Sequence, residues 1–235
     1  MQPGNRILEH IEYTRSNGGF TPATERIVRE TALKIIIDDK PFATAMILAT
    51  LEKEFVIGQL FSQGMIRALD DIMSININGD IAKVSLKAGV KPPFPPSTIN
   101  SDLKVRREDI FSSVRAILKS DVFVETEAVH SAGLFLEGKA AVSIAEDLGR
   151  HNALDKVIGY GLLHGVDFNR TIAASTGRQP TEMINKLRNT GIPIIATKGV
   201  PTSLAVEIAD KAGITIAGLV RGNTMIIYSN PDRII

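Results

Sequence analysis

The order of hydrophobic and polar positions divides the chain into two parts. In the first part, from Arg6 to about Lys87, apolar residues come in short runs that favour β-strands. These runs cover residues 32–37, 42–48, 72–77 and 81–86. Asn78-Gly79 separates the last two runs, and this dipeptide between alternating runs predicts a β-hairpin. One helix, predicted over Glu52–Arg67, interrupts the strands.

From His130 onward the pattern switches regularly between the periods of strands and helices. An apolar run over His130–Phe135 turns at Glu137–Lys139 into a second strand. The helices predicted after it cover residues 149–163, 180–189 and 202–212, and the strands cover 171–174, 192–196 and 214–220. Pro180 at a helix start, and Gly191 and Gly213 just past helix ends, agree with these boundaries. This alternation predicts a parallel sheet with crossover helices.

A proline-rich segment lies between the two parts. Four prolines occur within residues 88–101, where they remove backbone donors and resist regular pairing, and a helix is predicted after them over Glu108–Leu118. The expected fold class is therefore α/β. We expect a smaller β-rich N-terminal subdomain over residues 1–87, a loop or linker over 88–106, and an α/β domain over 107–235.

Composition narrows the classes of function. The 235 residues are 44% hydrophobic and 23% charged, which is typical of a folded globular protein. A net charge of +1, dispersed cations and 5% aromatic residues argue against nucleic-acid binding. The absence of cysteine excludes disulfides, thiolate metal sites and thiol catalysis, and no histidine or carboxylate spacing matches a metal site. Met1–Arg6 lacks an apolar leader core, and no stretch reaches the roughly 18 apolar residues of a membrane span, so we expect a cytoplasmic protein.

Polar residues follow three predicted strands at the point where each strand ends. These residues are Thr176, Gly177 and Arg178; then Lys198, Gly199, Thr202 and Ser203; and finally Arg221, Gly222 and Asn223. Ligands of open parallel sheets bind beyond the carboxyl ends of the strands, so the three loops together suggest a phosphate site. Turn geometry and helix capping also explain glycine, threonine and lysine at such positions, and neither familiar phosphate-loop motif is present.

The helix predicted from residue 149 begins with a polar run. Its first residues are Gly149, Arg150, His151 and Asn152. Free backbone N–H groups and the helix dipole make such a start a place for an anion. His151 shares a helical face with Asp155, which leaves three interpretations: a buried pair, a ligand contact, or a general base whose tautomer Asp155 fixes. His130 is either a core histidine or a second polar wall of the site.

Five segments together resemble the formate dehydrogenase accessory sulfurtransferase family. They are His130–Phe135, Glu146–Lys156, Thr176–Arg178, Pro201–Glu207 and Gly218–Gly222. The run Gly149–Lys156 is the most specific of these, and the resemblance extends weakly upstream through residues 51–72. It covers most of the chain and is strongest after His130.

The resemblance implies a cytoplasmic, homodimeric maturation factor with a cytidine-deaminase-like, three-layer α/β domain. Such a protein binds the molybdenum or tungsten bis(molybdopterin guanine dinucleotide) cofactor, for which GDP is a surrogate. It passes sulfur from a cysteine desulfurase to the cofactor and delivers the cofactor to the formate dehydrogenase catalytic subunit. By family position, the stretch Leu219–Thr224 belongs to the expected cofactor contacts: Leu219, Val220, Arg221, Gly222, Asn223 and Thr224.

The family carries sulfur on a Cys-x-x-Cys motif in a loop before the His-x-Ala-Gly segment. Ser97–Asn100 lies at about that place in this chain. Hydroxyl and amide groups cannot hold a persulfide, because the chemistry needs a thiolate. Sulfur relay through this chain's own side chains is thus excluded, as is zinc-dependent deamination. We expect a cofactor-binding and delivery protein; the alternative is an enzyme for a phosphorylated small molecule, with His151 and Asp155 as acid and base.

Overall fold

The N-terminal half of the chain forms a hairpin, a four-stranded sheet and one helix. A computed structural model describes residues 7–94 and 98–235. The expectation about a leader rests on Met1–Arg6 and that about the cysteine motif on Ser97, and these residues lie outside the described ones. The strands are β1 (Leu8–Ser16), β2 (Phe20–Val28), β3 (Thr31–Ile37), β4 (Lys40–Ile47), β5 (Ile72–Asn78) and β6 (Ile81–Leu86). β1 and β2 pair only with each other, and the sheet has the order β4-β3-β6-β5.

The C-terminal half contains a six-stranded sheet. Its strands are β7 (His130–Leu136), β8 (Ala140–Asp147), β9 (Thr171–Ser175), β10 (Ile194–Thr197), β11 (Thr215–Arg221) and β12 (Thr224–Ser229), in the order β12-β11-β10-β9-β7-β8. Only β9, β10 and β11 are parallel neighbours. The predicted parallel arrangement is confirmed for these three strands, which alternate with helices, whereas β7–β8 and β11–β12 are antiparallel hairpins, because a short turn joins antiparallel strands.

Helices cover both faces of this sheet and make three layers. The α-helices of the described chain are α1 (Glu52–Ser62), α2 (Arg107–Ile117), α3 (Asp121–Thr126), α4 (Arg150–Leu163), α5 (Thr181–Thr190) and α6 (Ser203–Ala212). One face packs Ile172 and Ile194 against Phe111 of α2. The other face packs Ala173 and Ile195 with α4, α5 and α6. Successive strand residues thus enter different cores, as the period of a strand requires. The α/β class is confirmed, and the likeness to cytidine deaminases stays a prediction.

Two glycines let α1 cross α4 with their main chains in contact. A Cβ added to Gly58 would lie 1.8 Å from the carbonyl oxygen of Asp155, and one added to Gly159 would lie 1.8 Å from that of Glu54. The same apolar core contains side chains of both halves of the chain. The division into two subdomains stays a prediction. α1 ends at Ser62 rather than at residue 67, because the chain turns at Gly64, whose φ is +70°.

The proline-rich segment is held at both of its ends. Phe94 N donates to Gly64 O at 2.7 Å, and Ile99 N donates to Ala212 O at 2.8 Å. The turn between β5 and β6 is centred on Gly79-Asp80, one residue later than predicted, with Asn78 still paired to Ile81. No helix within residues 7–94 and 98–235 combines the length and apolarity that crossing a membrane requires.

Candidate functional site

Several of the predicted site residues meet at one edge of the six-stranded sheet. β9, β10 and β11 end there, and the antiparallel β7 begins there with His130, which pairs with the last residue of β8. We define the strand-end edge as this set of residues: His130, Gly149–Arg150, Thr176–Arg178, Lys198–Gly199 and Leu219–Thr224. The topology therefore brings together the three loops that the sequence predicted to converge.

Hydroxyl groups at the strand ends fix the loops to one another. Thr197 Oγ1 donates to Gly177 O at 2.6 Å and accepts from Gly199 N at 3.0 Å. Ser175 Oγ accepts from Gly177 N at 3.2 Å, and Leu219 N donates to Gly199 O at 2.9 Å. A Cβ on Gly199 would lie 2.7 Å from Gly177 O, so a glycine is required there. Thr197 and Ser175 are not among the predicted site residues, although each is the last residue of a strand.

Several positively charged side chains lie at the strand-end edge. Arg178, Lys198 and Arg221 are exposed, and within residues 7–94 and 98–235 none of them has an ion-pair partner. Arg150 lies over Gly177, and its Nε atom is buried without a hydrogen-bond partner in the described chain. A buried donor of this kind calls for an acceptor. An anion would provide one.

Three helices begin at this edge without a side-chain cap. They are α4, α5 and α6, whose N-cap residues are Gly149, Pro180 and Thr202. The side chain of Thr202, the N-cap residue of α6, makes no capping bond, and both Thr202 and Ser203 are exposed. Uncapped N–H groups and three positive dipole ends favour an anion at the same place.

A cavity of about 320 Å³ opens beside His130. Its walls combine apolar side chains, including Ile117 and Phe123, with the polar residues Thr176 and Lys198. His130 Nδ1 lies 3.2 Å from Thr176 Oγ1, so the imidazole is both hydrogen-bonded and part of the wall. Burial and the charge of Arg150 lower the pKa of His130, which favours its neutral form.

Leu219–Thr224 forms the tip of the β11–β12 hairpin. Arg221 pairs with Thr224 across a turn at Gly222 and Asn223, and all four of these residues are exposed. Val220 is different, because its side chain is buried in the core beneath α2. The hairpin therefore presents its one cation, Arg221, beyond the ends of the parallel strands.

Asp155 does not orient the His151 imidazole. The Asp155 carboxylate is buried, and it accepts from Ser62 Oγ at 2.6 Å and from Lys186 Nζ at 2.7 and 2.8 Å. Lys186 on α5 packs against α4 and forms an ion pair with the Asp155 carboxylate. The spacing of four residues had suggested His151 as the partner of that carboxylate. The prediction of an acid–base pair is wrong on this geometry, and the alternative enzyme loses its main support.

His151 lies next to α5 instead. Its Nε2 atom is 3.3 Å from Glu182 Oε2 but forms no hydrogen bond with it. Burial, with the charges of Arg150 and Lys186, lowers the pKa of His151 to about 4, so the ring is neutral at pH 7. His151 and Asp155 therefore lie outside the strand-end edge, and a ligand contact by either stays a prediction.

Asn152 and Lys156 hold α4 to the end of β4. Asn152 Nδ2 donates to Met46 O and to Asp147 Oδ1, each at 2.8 Å. Lys156 Nζ lies 2.7 Å from Asp147 Oδ2 and donates to Leu48 O at 2.9 Å. Burial lowers the pKa of Lys156, and Asp147 opposes that shift. Within the Gly149–Lys156 run, Asn152 and Lys156 therefore have a structural role, because their polar contacts hold α4 to the end of β4.

Comparisons with known proteins place these features in a wider group. The sequence model of the FdhD/NarQ family matches residues 28–93 and 88–235. The chain is 33% identical to the sulfur carrier protein FdhD of Methanothermobacter thermautotrophicus, over 78% of this chain and 81% of that protein. It is 35% identical to the protein of that name from Sulfurisphaera tokodaii, over 84% and 86% of the two chains. A crystal structure from Desulfotalea psychrophila, described as a formate dehydrogenase accessory protein, superposes with a TM-score of 0.85 at 29% identity, covering 97% of this chain and 100% of that chain.

Proposed function

The chain belongs to the FdhD/NarQ family, and we propose on that premise that it is an accessory protein in formate dehydrogenase maturation that binds the enzyme's bis-guanine-dinucleotide cofactor. The observation that carries the proposal is the convergence of three features at the strand-end edge: three uncapped helix starts, two glycine loops, and exposed cations that have no ion-pair partner in the described residues. The cofactor has two diphosphate groups, which need that chemistry.

The residues at the edge fit a diphosphate. The buried Nε atom of Arg150 has no hydrogen-bond partner in the described chain, and an anionic oxygen would satisfy it. A Cβ on Gly177 would lie 2.6 Å from Arg150 Cδ, so glycine leaves room for the arginine and for a close approach to the main chain. Arg178, Lys198 and Arg221 would neutralise the remaining charge.

The cavity beside His130 fits a flat heterocyclic ring next to the phosphates. Ile117, Phe123 and Val129 supply apolar walls, while Thr176 and Lys198 belong both to the cavity and to the loops of the edge. A volume of about 320 Å³ exceeds what one nucleobase needs and lies at the lower end of ligand pockets. We assign the base of the bound nucleotide to this cavity.

The absence of cysteine defines what the chain itself contributes. The relatives are called sulfur carrier proteins, but this sequence has no thiol on which a persulfide could form. When bound, the cofactor supplies the metal chemistry of formate oxidation to the enzyme that receives it. This chain's residues bind and orient it. A cysteine desulfurase is then a partner only if its sulfur reaches the bound cofactor without passing through a side chain of this protein.

The remaining expectations concern partners and location. The formate dehydrogenase catalytic subunit is the proposed recipient of the cofactor, whether molybdenum or tungsten. A homodimer is the proposed assembly, and the cytoplasm is its proposed location. These proposals rest on the family membership of the chain.

Calorimetric titration with GDP tests the proposal. GDP should bind, and Arg178→Ala or Arg221→Ala should each weaken it roughly 10-fold, since a hydrogen bond to a charged group contributes about 1.5–3 kcal/mol. Lys211→Ala, which removes an exposed cation from the last turn of α6, is the matched control and should leave the affinity unchanged. No heat of binding at millimolar GDP, or equal weakening by the control, would count against the proposal.

A further inference from the structure

A second opening in the molecule is a polar groove between α1, α4 and α5. Its volume is about 530 Å³, and it shares no lining residue with the cavity beside His130. We call it the three-helix groove and define it by six of its lining residues: Gln59, Ser62, His151, Glu182, Lys186 and Asn189. Nothing in the proposed cofactor site uses these side chains.

The three-helix groove concentrates unsatisfied polar atoms. Eight buried side-chain nitrogen or oxygen atoms in the described chain have no hydrogen-bond partner, and three of them line this groove: Gln59 Oε1, His151 Nε2 and Asn189 Oδ1. Buried polar atoms without partners are rare in folded proteins. Three in one groove therefore indicate a ligand that completes them.

The orientation of Asn189 decides the kind of ligand. Asn189 Nδ2 donates to Ser62 O at 2.8 Å, so the atom of this side chain that lacks a partner in the described chain is its acceptor oxygen. The Gln59 oxygen is likewise a buried acceptor without a partner in the described chain. The missing partners are thus N–H donors.

The charge of the groove favours the same kind of group. At its floor, Asp155 and Lys186 form a buried ion pair at 2.7 Å, and Ser62 donates to the carboxylate, so these charges offset each other. Glu182 at the rim has an exposed carboxylate with no cation paired to it in the described residues. His151 is neutral at pH 7 and does not repel a cation.

We propose that the three-helix groove binds a flat head with several N–H donors, a guanidinium or the equivalent N–C–N edge of a guanine base. Two amide oxygens accept from the head, and the Glu182 carboxylate completes the contact at the rim. An arginine side chain on a partner protein and a nucleobase are the two sources of this chemistry. The inference is independent of cofactor binding at the strand-end edge.

Titration of the isotope-labelled protein with agmatine and, separately, with guanosine tests the inference. Agmatine carries a guanidinium without a carboxylate, and guanosine carries the base without a phosphate. Binding should shift the side-chain amide signals of Gln59 and Asn189. Each of Gln59→Met and Glu182→Gln should weaken binding roughly 10-fold, since each removes one hydrogen-bonding group. Gln59→Met removes no side-chain hydrogen bond seen among the described residues.

Matched controls separate this groove from the rest of the surface. Glu207→Gln removes an exposed carboxylate from α6, and Arg178→Ala removes a cation from the strand-end edge; both should leave binding unchanged. Agmatine binding alone supports an arginine of a partner, and guanosine binding alone supports a nucleobase. Amide signals of Gln59 and Asn189 that stay in place at millimolar concentrations of both probes would overturn the inference, as would affinities that neither variant changes.

Discussion

Replacing Lys156 by methionine tests whether the end of the Gly149–Lys156 run stabilises the fold rather than binding a ligand. Lys156 is fully buried, and its ammonium group contacts Asp147 Oδ2 at 2.7 Å, Leu48 O at 2.9 Å and Glu146 O at 2.9 Å. Methionine keeps most of the volume and removes the charge. The Asp147 carboxylate then stays buried with neutral donors only, from Leu48, Gly149 and Asn152.

The expected magnitude follows from the burial of both partners. Removing one member of a buried ion pair costs about 3–5 kcal/mol, because the remaining charge is left uncompensated. For a chain of this size, 1 kcal/mol corresponds to a change of roughly 2–4 °C in Tm, so Lys156→Met should lower Tm by about 6–20 °C. The double variant with Asp147→Asn should recover part of this loss, since it removes the uncompensated carboxylate.

Thermal and urea unfolding followed by circular dichroism measures both effects. Lys211→Met, at an exposed position on α6, is the control and should change the free energy of unfolding by less than about 0.5 kcal/mol. GDP should bind folded Lys156→Met with unchanged affinity. A variant with the stability of the parent protein but without GDP binding would refute the reasoning, because Lys156 would then act on the ligand.

Two further predictions concern acid stability and helix packing. The lowered pKa of His151, about 4 against 6.5 in the unfolded chain, means that the folded chain binds fewer protons between these pH values. Stability should therefore fall from pH 6.5 to pH 4, and His151→Gln should remove part of that loss in urea titrations. Gly159→Ala should destabilise the fold by more than about 4 kcal/mol, because its Cβ would lie 1.8 Å from Glu54 O. Gly19→Ala, in open space, is the control for unfolding measurements, and equal stability of the two variants would contradict the described helix crossing.

The elements of the C-terminal half were predictable because their boundaries carry local signals. Gly191 and Gly213 adopt positive φ at the ends of α5 and α6, and the apolar runs that follow these two glycines are the strands β10 and β11. The alternation of strands with helices also predicted the parallel directions of β9, β10 and β11. β12 was missed, and with it the hairpin that makes β11 and β12 antiparallel. The pairing of β7 between β8 and β9 is likewise a property of the whole sheet.

The candidate site was predicted in part for a geometric reason. Loops that follow parallel strands meet at one edge whatever their sequences, so Thr176–Arg178 and Lys198 were placed correctly. The polar run at the start of α4 was treated as one surface, but successive residues of a helix point about 100° apart. Arg150 therefore reaches Gly177, while Asn152 reaches Met46 and Asp155 reaches Lys186. The sequence alone does not show that Lys186, which is distant along the chain, pairs with the Asp155 carboxylate.

A crystal structure of the protein with GDP tests the central claim most directly. We predict the diphosphate at the strand-end edge, with an oxygen accepting from Arg150 Nε and others facing Thr176–Arg178 and Lys198–Gly199. The base should lie in the cavity beside His130. A nucleotide bound elsewhere, with these loops and the Arg150 side chain free of contacts, would contradict the account.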